Sequence, residues 1–251
     1  MDFRIRDRRL RVNIPDRARL MAELGERMRQ RRGFALATLN LDHLVKLRQD
    51  EVFLDAYLAQ DLVVADGNPV VWLSRLAKKP VSLVPGSELV VPMAELARDS
   101  GLSIALFGSS DAALADAAQD LTRRLPGLQI SARIAPPMGF DPQSPAADAL
   151  LAEVRDSGAG LCFLALGAPR QEILAARARS IAPQTGFASI GAGLDFLGGH
   201  QKRAPVWVQK IAMEWLWRML SSPRRLAGRY LRCALLLPEL VADALRLRRG
   251  G

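Results

Sequence analysis

The chain has 251 residues, 49% hydrophobic and 24% charged, a balance that fits one sizeable core with room for a small appendage and excludes intrinsic disorder. Two cysteines and two histidines (His43, His200) are too few for a disulfide framework and argue against a structural zinc site or a histidine-centred triad. The net charge of +9 is localised: residues 1–201 carry 24 Lys/Arg against 23 Asp/Glu, whereas residues 202–251 carry 11 against 3.

The chain opens on Asp2, Arg4, Arg6, Asp7, Arg8, Arg9 and Arg11, which leaves no place for the apolar stretch of a signal peptide. No uncharged apolar run approaches the roughly 20 residues that span a bilayer, so the protein is expected to be cytoplasmic. Six apolar runs then end in Gly, Asp, Asn or Pro, or just before them: Phe34–Thr38, Leu62–Asp66, Ser103–Gly108, Leu128–Ala135, Leu161–Gly167 and Phe187–Gly191. Helical patterns are predicted over Asp42–Leu58, Pro69–Ala77, Asp111–Leu125, Ala146–Ser157 and Pro169–Ile181. Strands alternating with helices predict an α/β fold with a mostly parallel sheet covered on both faces, and the unbroken apolar character of the runs fits buried strands. Pro136–Pro145, with four prolines and Gly139, reads as a surface loop.

Beyond His200 the character changes. Trp207, Ile211, Trp215 and Met219 fall near one face of a predicted helix, Pro223 breaks it, and a second helix aligns Arg225, Arg229 and Arg232 at i, i+4, i+7. The chain thus divides into an α/β domain over 1–201 and a basic helical appendage over 202–251. Arg203, Arg218, Arg224, Arg225, Arg229 and Arg232 are candidates for phosphate binding, or they form a solvated basic face; Trp207, Trp215, Trp217 and Tyr230 among them give the segment an interfacial look.

In open α/β sheets ligands sit beyond the carboxyl ends of the strands. That rule selects Thr38 and Asn40; Asp66 and Gly67; Gly108, Ser109 and Ser110; Gly167, Pro169, Arg170 and Gln171; and Gly191, Gly193 and Asp195. Asp66 ends an apolar run and precedes Gly67-Asn68-Pro69: it suits a general base, or it makes a turn and caps the next helix. Gly167-Ala168-Pro169-Arg170-Gln171-Glu172 reads as a turn and then a helix with proline at its first position. The amides of that helix start would suit a diphosphate and Gln171 a sugar or uracil edge, unless the segment is an ordinary strand-to-helix turn. Gly191–Phe196 imitates a dinucleotide fingerprint only in part, because Phe196 replaces the third glycine. The absence of any Asp-x-Asp pair predicts metal-independent chemistry, although isolated carboxylates also hold magnesium.

Taken in order, these segments resemble the WecG/TagA/CpsF family of bacterial glycosyltransferases (glycosyltransferase family 26). The resemblance rests on Thr38-Leu39-Asn40 with Asp42-His43, Ala65–Pro69, Pro85–Glu88, Leu166–Glu172, Gly191–Gly198, Arg203-Ala204-Pro205, Glu214–Arg218 and Pro223–Leu226. It implies a Rossmann-like core and a C-terminal appendage that docks on the membrane and completes the site. It also implies an inverting transferase that uses UDP-sugars and polyprenyl-diphosphate-linked acceptors in cell-surface polysaccharide assembly. By position it makes Asp66 the base, with Thr38, Asn40 and Gln171 lining the pocket and the C-terminal arginines facing diphosphates or membrane. Leu83 and Glu88 depart from the basic residue and the aspartate that many members carry there, so donor identity (N-acetylmannosamine, its uronic acid or glucose) does not carry over. Two other classes are a nicotinamide- or S-adenosylmethionine-dependent Rossmann enzyme, disfavoured by the lack of a glycine-rich turn after the first strand, and a non-catalytic protein that uses the basic tail to bind a membrane surface, recruit other proteins or bind nucleic acid. Under the transferase reading no nucleic acid is expected as a partner, and a homo-oligomer stays open.

Overall fold

The computed structural model describes residues 1–199, 217 and 223–249, with no side chains for 223–225. A hairpin of β1 (Asp2–Ile5) and β2 (Arg8–Arg11) opens the chain, followed by α1 (Arg17–Arg29). Then come β3 (Phe34–Leu39), α2 (Leu41–Leu47), α3 (Glu51–Leu58), β4 (Leu62–Ala65), α4 (Asn68–Leu76) and α5 (Gly86–Asp99). The second half runs β5 (Ile104–Gly108), α6 (Asp111–Arg124), β6 (Ile130–Ile134), α7 (Pro145–Asp156), β7 (Leu161–Ala165), α8 (Arg170–Ile181), β8 (Gly186–Ser189) and α9 (Gly193–Leu197). A long helix, α10 (Pro223–Arg249), closes the described chain.

The sheet has six strands in the order β4-β3-β8-β7-β5-β6, and every pairing is parallel. Parallel strands need crossovers, and the helices those crossovers carry cover both faces. Side chains of β3 alternate accordingly. Phe34 and Leu36 enter a core built with α1, α5 and α6, while Ala35, Ala37 and Leu39 face the cores built with α2, α3, α4, α7 and α8. The outer edge of β4 is covered by two flanking segments: Ile14 N–H donates to Val63 O (3.2 Å) and Val84 N–H to Ala65 O (2.8 Å).

The structure corrects the predicted elements in four places. The single helix expected over Asp42–Leu58 is two, because the Asp50 carboxylate accepts from Phe53 N–H (2.9 Å) and caps a second start. Pro169 is the N-cap of α8, at φ −90° and ψ −8°, and not its first residue. The charged N-terminus, where no element is predicted, forms the hairpin because Phe3, Ile5, Leu10 and Val12 alternate inward between exposed arginines. Helices α1, α5 and α9 also form where none is predicted: Asp16 caps the first, and buried Leu20, Leu24 and Met28 line one side of it.

Helix α10 lies against α2 and α4. It adds Leu240 and Ala244 to the core that holds Leu39, Leu44, Val63 and Val71. Arg48 pairs with Glu239 at 2.6 Å and Arg229 with Asp42 at 3.0 Å. Among the described residues, no helix is long and apolar enough to cross a membrane.

Candidate active site at the carboxyl edge of the sheet

Asp66 sits one residue past β4. Its N–H donates to Leu39 O (2.8 Å), which carries the β3–β4 ladder one step further and puts the half-buried carboxylate at the rim. Asp66 Oδ2 accepts from Gly86 N–H (3.4 Å), the first residue of α5, so the carboxylate faces the positive end of a helix. Gly67 follows at φ +148°, a conformation that L side chains rarely adopt, and this lets the chain turn at once into α4. Asn40, beside it, caps α2: Asn40 Oδ1 accepts from His43 N–H at 3.0 Å.

Contacts link this corner to the middle of the sheet. A Cβ on Gly86 would lie 3.2 Å from the Thr38 side chain and 3.4 Å from Ile190 Cα, so the start of α5 wedges between the ends of β3 and β8. Buried Thr38 donates to Ser189 O at 3.5 Å. The next residue but one, Gly191, donates its N–H to Gln171 Oε1 (3.1 Å), and Gln171 Nε2 donates to Glu172 Oε1 (2.8 Å). Asp66, Thr38, Asn40, Gly67, Gln171 and Gly191 are therefore one cluster. Gln171, however, is only 2% exposed, and its amide ties the turn after β7 to the turn after β8.

Glu172 is wholly buried, and desolvation raises its carboxyl to about 7; among the described residues its Oε2 has no hydrogen-bond partner. Tyr57, also fully buried, is pushed well above its usual value by desolvation and then by the charges of Glu172 and Asp66. His43 contacts the Tyr57 hydroxyl through Nδ1 (3.2 Å), and burial drives its ring down to about 3. Sequence inspection does not single out Tyr57, since nothing in a helical run of apolar residues separates a core tyrosine from one aimed at a site.

At the next strand ends, Gly108 has φ +109°, and a Cβ there would stand 2.5 Å from Ala165 O. It serves the close approach of β5 to β7. Ser109 N–H donates to Ala165 O (3.1 Å), and its hydroxyl bonds to Asp195 Oδ1 at the start of α9. Gly167 (φ +71°) makes the turn after β7, and Ala168 O, just before Pro169, accepts from Lys46 Nζ at 3.1 Å.

Arg203 and Arg218 lie outside the described residues, as do the side chains of Arg224 and Arg225. Arg229 turns toward α2 and pairs with buried Asp42, which also holds Lys46 at 3.0 Å. Arg232 is exposed, with Nε donating to Gly228 O at 3.2 Å. Among the described residues no three His, Cys, Asp or Glu side chains are grouped as a metal centre. Two surface cavities lie elsewhere, one between β6 and α7 and one at the amino edge of the sheet, and neither includes a predicted site residue.

The rim presents the half-buried Asp66 carboxylate at a helix start with the half-buried Asn40 side chain beside it, both held on rigid strand ends. This is equipment for deprotonating a hydroxyl and holding a polar ligand. A family model described as "Glycosyl transferase WecG/TagA/CpsF family" matches residues 8–250. The chain is also similar to the N-acetylglucosaminyldiphosphoundecaprenol N-acetyl-beta-D-mannosaminyltransferase of Bacillus spizizenii, 26% identical over 228 residues that cover 88% of this chain and 82% of that protein. The chain belongs to the WecG/TagA/CpsF family of glycosyl transferases.

Proposed function

We propose that the protein moves a hexosyl group, of the N-acetylmannosamine type, from a UDP-sugar to a saccharide carried on a polyprenyl diphosphate. The observation that carries this reading is the position of Asp66: one carboxylate at the rim, beside Asn40 and against the start of α5, in a chain whose family model spans residues 8–250. The transferred N-acetylmannosaminyl group and the lipid-diphosphate acceptor follow from the name of the Bacillus spizizenii relative, and the UDP carrier from the family resemblance. Asp66 removes the proton of an acceptor hydroxyl, the oxygen attacks the anomeric carbon in one displacement, and the configuration inverts. The leaving UDP gathers charge, which the cations of the appendage offset without a metal ion.

The protein works from the inner face of the membrane, attached peripherally through the appendage. Leu231 and Leu235 of α10, 61% and 72% exposed, stand one turn apart beside Arg232 and suit an interface of acyl chains and anionic headgroups. The test is a panel of UDP-sugars with a short-chain polyprenyl-diphosphate-linked N-acetylglucosamine, with and without a chelator, read by mass spectrometry. The wild type is expected to extend the acceptor by one hexosamine in the presence of chelator. Asp66→Asn is expected to lose about 10²- to 10⁴-fold in kcat with its circular dichroism unchanged. Turnover near wild type in that variant would remove the base assignment, and no product with any UDP-sugar would remove the transferase reading. Flotation with anionic vesicles, lost in Leu231→Glu/Leu235→Glu, tests the attachment.

A further inference from the structure

Asn40 is joined to buried His43 and through its ring to buried Tyr57, and the hydrogen-bond directions along this chain follow from which atoms can donate. His43 N–H can only donate, so the atom 3.0 Å from it is the Asn40 carbonyl oxygen, which places the Asn40 Nδ2 amide 3.3 Å from His43 Nε2. An amide nitrogen can only donate, so Nε2 accepts and the ring carries its proton on Nδ1. Nδ1–H then gives to the Tyr57 hydroxyl oxygen at 3.2 Å, which leaves the tyrosine its own proton to direct elsewhere. A doubly protonated ring would set a donor against the Asn40 amide, so the geometry rejects the cation as burial does. Phe53 and Tyr57 close on the ring edge-on, with centroids 5.9 and 5.8 Å away. The charges that bear on it are Asp42, which favours protonation, and Lys46 and Arg229, which oppose it; the Thr38 carbonyl favours it slightly.

We propose that His43 is a positioning residue, held neutral with its proton on Nδ1 by Tyr57, and that it locks the Asn40 amide so that one Nδ2 hydrogen is left for an oxygen of the bound acceptor saccharide. Asn40 Oδ1 is engaged as a helix cap and one Nδ2 hydrogen goes to the ring, so the side chain meets the cleft as a donor and not as an acceptor. Asn40 lies beside Gly67, where a Cβ would come 3.6 Å from Asn40 Cβ, and so flanks Asp66. The role of the Asn40 hydrogen rests on the transferase reading above; the tautomer does not.

The first experiment is long-range ¹H–¹⁵N correlation spectroscopy of the whole protein at neutral pH, with the two histidines told apart by a His200→Gln variant. A neutral His43 ring protonated on Nδ1 is expected. Protonation on Nε2, donating to the Thr38 carbonyl, or a charged ring overturns the proposal whether or not any transfer is found. The second is kinetic. Asn40→Ala and His43→Phe are each expected to raise KM for the acceptor about tenfold with kcat changed less than twofold, and the double variant to be no worse than either alone. Multiplying losses, or an unchanged KM, overturn it. Should His43→Phe fail to fold, Tyr57→Phe keeps the packing, removes the acceptor of the Nδ1 proton, and is expected to move the tautomer toward Nε2–H and raise the same KM; an unmoved tautomer overturns the proposal.

Discussion

Glu172 offers a quantitative test of how the buried side of the site is built. Replacing it with glutamine keeps the oxygen that accepts from Gln171 Nε2 and removes only the ability to ionise. In the fold the carboxyl titrates near 7, against 4.5 as the reference, because burial disfavours the anion more than the Gln171 hydrogen bond favours it. A folded value above the unfolded one means that stability is greatest below the unfolded pKa and is lost as pH rises through the folded one. A shift of this size amounts to about 3 kcal/mol once both states are ionised, of which about 2 kcal/mol is lost between pH 5.5 and 8.5. His43 has the opposite sign: its ring falls from 6.5 to about 3 on folding, so its contribution is complete above pH 6.5 and is lost as pH falls toward 3. That term is common to wild type and Glu172→Gln and cancels in the difference. The assay is urea unfolding of both proteins at pH 5.5 and 8.5, followed by circular dichroism. The variant is expected to gain about 2 kcal/mol on wild type at the higher pH relative to the lower one. Parallel pH dependences would refute the reasoning, since Glu172 would then be charged in the fold.

Two further outcomes follow from packing. Gly108→Ala places a methyl group 2.5 Å from Ala165 O in a residue at φ +109°, and is expected to destabilise the protein by about 2–4 kcal/mol, read as a lowered urea midpoint at unchanged m-value. Leu240→Ala empties a buried position where α10 meets α2 and α4, with an expected loss of about 2–4 kcal/mol and faster amide exchange in α10; exchange unchanged from wild type would mean that this helix is not held by its apolar face.

Much of the scaffold was legible because fully buried strands and amphipathic helices leave separate periods in a sequence. The runs at Phe34, Leu62, Ser103, Leu161 and Phe187 are strands at nearly the expected bounds, and Asp66 stands at a strand end as its apolar lead-in predicts. The hairpin and the break at Asp50 were missed, since four inward apolar side chains among arginines and a single capping carboxylate are weak signals beside bulk charge and helical period. The order of the strands is not written in any local pattern. It arises because the chain crosses from β4 to β5 and returns, inserting β8 between β3 and β7, and that insertion brings Gln171 and Gly191 to the side of Thr38 and Asp66. Chain position alone likewise makes Gln171 and Arg229 look like ligand contacts. Packing gives Gln171 two internal partners and Arg229 a buried aspartate, because a polar group sealed from water must find its hydrogen bonds inside the protein.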